Sequence, residues 1–330
     1  VHEQYLVGLE YLEAVTALLR RVRSAHPTAG HYEAADFQWW WRIPRPTDTF
    51  PQLFWFDESG RPAAAVVATA WPAATSLAPI VLPGSSPAWV AHVVERGLAH
   101  AAGEGLDRIE ITVDLSDEAQ IGILASFGFQ VTRDETVETW MDIGDRPPVS
   151  PLDPRYRLAT RRETGSRPHH MTGRSGADVE ERLGQTSLYR RDLDLVILDE
   201  DDRPAAYGLF WFDPVTRTAL VEPMRTEDPH QRRGLARHVL TSGLDRVAEA
   251  GAERVKIVYE PDNHAAARLY TSVGFRPVRR CGVATRRARP DLSPRRRLLQ
   301  DVPHQRPEFG RSVEVGPVAR SLDDEPLLHR

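Results

Sequence analysis

The six residues Gln231-Arg232-Arg233-Gly234-Leu235-Ala236 place two arginines and a glycine directly before an apolar helical pattern. A helix start presents backbone N–H groups that have no intrahelical partner, and the helix dipole adds partial positive charge there. A strand entering such a start through a glycine-containing turn can wrap those donors round an anion. The chemistry implied is the holding of a pyrophosphate or similar group. Gly234 would let the backbone approach the ligand closely, Ala236 would keep the next turn slim, and Arg232 and Arg233 would bring positive charge. Solvated surface arginines would explain the same six residues taken alone. They do not stand alone, because "PDNHAAARLYTSVGF", Pro261 to Phe275, follows the next strand pattern and supplies Asn263, Ala266, Leu269, Tyr270, Gly274 and Phe275.

Together the two stretches resemble the cofactor motifs of the GNAT superfamily of acetyl-CoA-dependent N-acetyltransferases, the first matching its Q/R-x-x-G-x-G/A pyrophosphate loop. The resemblance covers roughly Tyr156 to Arg287, with Leu53 to Met141 as a degenerate copy. It implies acetyl-CoA as co-substrate, no metal, and a splayed sheet with the pantetheine arm between two diverging parallel strands. Carried onto this chain, it implies that the segment Gln231, Arg232, Arg233, Gly234, Leu235, Ala236 and Arg237 holds the pyrophosphate through its amides. Main chain of Met224 and Thr226 would pair with pantetheine, Asn263 and Ala266 would lie on the pantetheine side, and Tyr270 would protonate the departing thiolate as a general acid. The chain departs from the family pattern at Pro229, one position later than the usual proline.

Acetylation of an amine also needs a base, because an alkylammonium with a pKa of about 10 must first lose a proton. Glu222, an acid inside the apolar strand pattern "TALVEPMRT", is the candidate. Strand alternation would turn it toward the same cleft as Met224, two positions on, if the alternation survives Pro223. The alternative is a structural pairing of Glu222 with an arginine.

The elements that must position these groups occur twice. His92–Val131 aligns without a gap on His238–Pro277 at an offset of 146, matching Gly97 with Gly243, Gly105 with Gly251, and Gly128-Phe129 with Gly274-Phe275. "DESGRPAAA" from Asp57 likewise matches "DEDDRPAAY" from Asp199. Each copy reads as a strand hairpin, a further strand, a helix, a strand and a short helix, which predicts an α/β fold of two tandem GNAT-like domains, each a mixed sheet flanked by helices. The helices are expected from about Leu235 to Glu249, stopped by Gly251, and from the capping Asn263 to Gly274. The expected organisation is a degenerate domain over 1–146, a linker over 147–155, a catalytic domain over 156–287 and a flexible arginine- and proline-rich tail over 288–330.

In the first copy, "SSPAWV" from Ser85 to Val90 faces the phosphate loop, with Ala88 in place of Gly234 and Trp89 crowding the helix start. Leu124 faces Tyr270, and Asp117 faces Asn263. This copy is expected to be silent in catalysis.

A net charge of −5 across 330 residues gives no global polyanion-binding signature, so nucleic acid is not an expected partner, and the run "RRARPDLSPRRR" reads as solvated disorder. Arginine supplies all the basic residues except Lys256, a bias that looks like a GC-rich bacterial genome. The single cysteine, Cys281, excludes an internal disulfide, and no segment reads as a membrane span or a secretion signal, so a cytoplasmic protein is expected. Trp39, Trp40 and Trp41 cannot all point one way, so at least one should be exposed or at an interface, most simply between the copies. His169 and His170 read as a mobile loop over the acceptor site, with no third metal ligand at hand. The function implied is transfer of acetyl to a primary amine of a small molecule. The layout is also similar to mycothiol synthase, which makes a cysteinyl amine the alternative acceptor, and a non-catalytic acyl-CoA sensor is the alternative class.

Overall fold

The computed structural model describes residues 1–286, and the tail expected over 288–330 lies outside them. The first half runs β1 (His2–Leu6), α1 (Gly8–Ala25), α2 (Ala34–Trp41), β2 (Gln52–Phe56), β3 (Pro62–Ala70), β4 (Thr75–Val81), α3 (Pro87–Gly103), β5 (Ile109–Asp114), α4 (Glu118–Ser126) and β6 (Phe129–Asp142). The second runs β7 (Arg157–Thr160), α5 (Thr172–Ser175), α6 (Val179–Gly184), β8 (Asp194–Leu198), β9 (Pro204–Asp213), β10 (Thr218–Thr226), α7 (Leu235–Glu249), β11 (Arg254–Tyr259), α8 (His264–Val273) and β12 (Arg276–Arg286).

The repeat is visible in the smallest elements. In both β2–β3 and β8–β9 the hairpin turn is built on one aspartate, Asp57 or Asp199, whose Oδ1 accepts from the amides two and four residues on. Gly60 and Asp202 occupy the same left-handed position of the two turns. An aspartate that satisfies its own turn in this way is a standard turn former.

The twelve strands among the described residues form one sheet in the order β1-β2-β3-β4-β5-β12-β6-β11-β10-β9-β8-β7. The two halves exchange their last strands. β6 leaves its own half to pair antiparallel with β11, and β12 returns to pair antiparallel with β5, while β6 and β12 pair with each other at the centre. A boundary drawn along the chain at residue 146 therefore leaves each half without its final strand. The segment after β6 is held against α7, where Arg146 contacts Asp245 at 3.0 Å and the Ser150 amide donates to Thr241 Oγ1 at 3.0 Å.

One face of the sheet carries α3 and α4 over the first half and α7 and α8 over the second, each pair with its own apolar core. The other face carries a core shared by both halves, in which α1 and α2 pack with residues of α6, β8, β9 and β10, including Leu183, Val196, Trp211 and Leu220. Trp39, Trp40 and Trp41 are all buried in that shared core. The expectation of an interface holds, and none of the three needs to be exposed because α2 is enclosed on several sides. Trp40 meets Trp71 of the first half, while Trp41 lies under the Arg182 guanidinium at 3.9 Å and donates to Gln185 of the second.

Buried charges fix the α1–α2 loop across the exchanged strands. Lys256 of β11 is 1% exposed, donates to the His31 carbonyl and lies 3.5 Å from Glu138 of β6. Arg279 of β12 also reaches Glu138, at 2.8 Å, and donates to the carbonyls of Thr28 and Gly30. Burial alone would raise the Glu138 carboxyl, but Lys256, His31 and Arg279 hold it down at about 2. No helix among the described residues is long and apolar enough to cross a membrane.

Candidate active site

β10 and β11 run parallel from Thr218↔Arg254 to Val221↔Ile257 and then part. Beyond that point Met224, Arg225 and Thr226 stay paired to β9 alone, so the β10 edge facing β11 has no strand partner. The unpaired edge is the kind of surface on which an extended ligand with amide groups can lie as a pseudo-strand.

β10 leads through a tight turn at Asp228–His230 into α7. Arg232 and Gly234 both have positive φ, 58° and 79°, and Gly234 is the N-cap with no side chain to satisfy the first amides of the helix. The chain thus bends twice into left-handed conformations and presents a run of N–H groups, the arrangement expected from the sequence. Arg233 donates to Tyr156 Oη at 3.0 Å, and the same hydroxyl meets His230 Nδ1 at 3.0 Å. Arg237 donates to Ser272 of α8, Gln231 donates back to Asp228, and the Arg232 side chain is exposed. The loop and the open β10 edge fit the pyrophosphate and pantetheine parts of acetyl-CoA.

On α8, Asn263 Oδ1 caps its own helix by accepting from the Ala266 amide at 3.0 Å. Ala266 is fully buried, and Tyr270, 1% exposed, lies between the rings of Tyr259 and Phe275 in the apolar cluster that also holds Met224. Met224 and Tyr270 therefore lie on the α7–α8 side of the sheet.

Glu222 does not share that side. The register shifts between Val221 and Met224, which breaks the alternation and turns Glu222 toward α2 while Met224 faces α7. The expectation that both residues face one way is corrected here, and the fork between the strands is reached from the two sides. Glu222 is buried beside Trp39 and has Asp36, Arg42 and Lys256 as its charged neighbours. Burial, reinforced by the Asp36 carboxylate, raises its carboxyl to about 8, against the opposing pull of Arg42, Trp39 and Lys256. Burial likewise raises Asp36 to about 6. Asp36 and Trp39 were not expected from the sequence, and nothing in their local spacing marks them.

His169 and His170 are not a mobile loop. Both side chains are buried round Asp194, with His169 Nε2 at 3.0 Å from Oδ2 and His170 Nε2 at 3.1 Å from Oδ1, and Tyr189 donates to Oδ2. A buried carboxylate needs such partners. The three could form a metal-ligand group. However, the Met171 amide donates to His169 Nδ1, which leaves the proton on Nε2, where it bonds Asp194 instead of leaving a lone pair for a cation.

In the first half the corresponding helix start is closed. Ser86 caps α3 by accepting from the Trp89 amide at 3.2 Å, and Pro87 occupies the first turn. Trp89 packs on Trp55 and His92, and Leu124 is buried where the second half has Tyr270.

Residues 158–275 match the model of the acetyltransferase (GNAT) family. No curated protein matches the chain. Among solved structures, a GCN5-related N-acetyltransferase from Sphaerobacter thermophilus is 16% identical, with a TM-score of 0.57 over 88% of this chain and 96% of that one. A tandem GNAT protein from the clavulanic acid biosynthesis pathway is 17% identical, with a TM-score of 0.63 over 88% of this chain and 99% of that one. These likenesses show the fold, two GNAT-like halves in one chain. The family match falls on the second half alone, the half that carries the open helix start.

Proposed function

Taking that fold and the family match of the second half as the premise, we propose that the second half transfers the acetyl group of acetyl-CoA to a primary amine of a small molecule, with both substrates bound at once. The observation that supports this most is the meeting at one fork of an uncapped, glycine-led helix start, an unpaired strand edge and a buried carboxylate. Acetyl-CoA supplies an activated thioester carbonyl.

The amides from Arg232 to Arg237 hold the pyrophosphate, and the β10 main chain at Met224 and Thr226 aligns the pantetheine arm and polarises the carbonyl. Glu222, in its ionised form, takes one proton from the acceptor ammonium and so frees the nitrogen lone pair. The C–N bond forms as the C–S bond breaks. A second proton from the nitrogen replaces the one that Tyr270 gives to the departing sulfur, so the amide, the free thiol and a proton on Glu222 are the products. Asn263 sets the start of α8 and thereby the position of Tyr270.

The test is thiol release from acetyl-CoA over a panel of alkylamines, amino acids, polyamines and aminosugars. Release that depends on an amine, with the mass of the acetylated product, supports the proposal. Tight acetyl-CoA binding with no transfer to any amine would favour a sensor instead.

A further inference from the structure

We propose that the first half completes the acceptor pocket of the second, with Asp36 and Trp39 of α2 facing Glu222 of β10 so that the acceptor amine is received as an ammonium ion between two carboxylates. The proposal rests on the acetyl-transfer reading above and names the part of the site that reading leaves open.

The placement of α2 carries the argument. Its N-terminal end stands over β11, where Glu33 lies 4.0 Å from Lys256, and the helix packs on β10, with Trp39 beside Glu222. β10 and β11 part just beyond Leu220↔Lys256 and Val221↔Ile257. A helix from the first half therefore roofs the opening of the fork on the side away from α7 and α8. Asp36 and Trp39 are three positions apart and so lie on one face of that helix.

The charges under this roof do not balance in pairs. Glu138 is matched by Lys256 and Arg279, Glu33 by Arg23, and Asp48 by Arg182. Neither Asp36 nor Glu222 has a cation within ion-pairing distance among the described residues. The positive groups nearest Glu222 are already engaged, Arg42 stacked on Trp39 at 3.4 Å and Lys256 on Glu138. Asp36 spends Oδ2 on the Glu33 amide, which caps α2, and it is half-buried whereas Glu222 is buried. Asp36, together with Glu222 once it ionises, is the complement of a single ammonium group.

An ammonium entering past Asp36 gains both carboxylates in a water-poor setting, and then passes one proton to Glu222. The first half thus has a role at the site although its own helix start is closed. Neutral nucleophiles such as alcohols, and aromatic amines that carry no charge at neutral pH, are poor acceptors on this account.

The test measures acceptor KM, kcat and acetyl-CoA Kd for the intact chain and for Asp36→Asn, Asp36→Glu and Trp39→Phe, using the best alkylamine from the panel. Asparagine keeps an oxygen for the Glu33 amide, so the cap survives. Asp36→Asn is expected to raise the amine KM at least tenfold with acetyl-CoA Kd unchanged within twofold, and Asp36→Glu to restore most of the loss. An unchanged amine KM in Asp36→Asn would overturn this proposal and leave acetyl transfer standing. Calorimetric titration of the same amines into the CoA-saturated protein gives a readout without turnover. Amine binding weakened by Asp36→Asn supports the pocket even if transfer fails, and binding of neutral alcohols as tight as that of amines overturns it.

Discussion

The starts of α3 and α7 come from matching stretches of the chain and do different things. Their C-terminal ends agree, since Gly105 and Gly251, 146 residues apart, both take left-handed conformations after the last turn. Their beginnings do not. In α7 Arg233 and Gly234 are loop, whereas in α3 the matching Pro87 and Ala88 are already helix, capped by Ser86. Proline has no N–H to offer and the serine oxygen takes another, so fewer donors are left at this start to hold a phosphate. At this start the helix is longer and better capped than at the start proposed to hold the ligand. The second motif shows the opposite outcome. Asp117 and Asn263 both cap their short helices, at 2.9 and 3.0 Å, so that exchange keeps the architecture. A difference between copies matters to function only where it removes a group that has no structural work.

The largest effect expected concerns whether the halves can be compared in isolation at all. Each half lends its last strand to the other, so a chain cut near residue 150 should give two pieces that are insoluble or unfolded when made separately and fold when made together. Soluble expression with circular dichroism decides it, and a folded, monomeric single half would break the comparison as drawn.

Next in size is Glu222, which has no acidic counterpart in the first half. Its carboxyl is raised from 4.5 to about 8, so the native state keeps a proton that the unfolded chain loses across that window. Stability due to this group therefore falls as pH rises from about 4.5 to 8 and levels off above it. Glu222→Gln removes that slope, and should be the more stable protein at pH 8 by about 2–4 kcal/mol, with little difference near pH 4.5. Thermal melts across pH measure it. The amine-transfer rate of the natural protein should climb through pH 8 as Glu222 ionises, and Glu222→Gln should lose that limb.

The smallest effect separates cap from cradle. Ser86→Ala should cost about 1 kcal/mol of stability and leave acetyl-CoA binding unchanged. Arg232→Ala should leave the melting temperature unchanged and weaken acetyl-CoA binding several-fold. The reverse pattern would mean that the two helix starts have been assigned the wrong roles.

Much of the fold could be read from the sequence because its rules are local. The Asp57 and Asp199 turns, the Gly105, Gly128, Gly251 and Gly274 stops and the Asn263 cap are each set by residues within a few positions. The strand exchange could not, since a strand such as β6 has the same pattern whichever neighbour it pairs with. The loop before α7 was legible, and so was Glu222 as a residue out of keeping with its strand. The side it faces was not, because a register shift at Val221–Met224 overrides the alternation. Asp36 and Trp39 were hidden for a different reason, as they meet Glu222 only through the packing of α2 across the halves. His169 and His170 looked like a polar loop until Asp194, 25 residues from His169, supplied the buried charge that draws them in.

The central claim is that one helix start holds acetyl-CoA and its counterpart does not. It is tested most directly by calorimetric titration of acetyl-CoA into the intact protein, Gly234→Val and Ala88→Val. A valine at Gly234 must adopt a φ of 79°, which costs about 1–2 kcal/mol and pulls the amides out of line. The account predicts one site per chain, weakened at least tenfold by Gly234→Val and untouched by Ala88→Val. Two sites per chain, or one that responds to Ala88 and ignores Gly234, would contradict it.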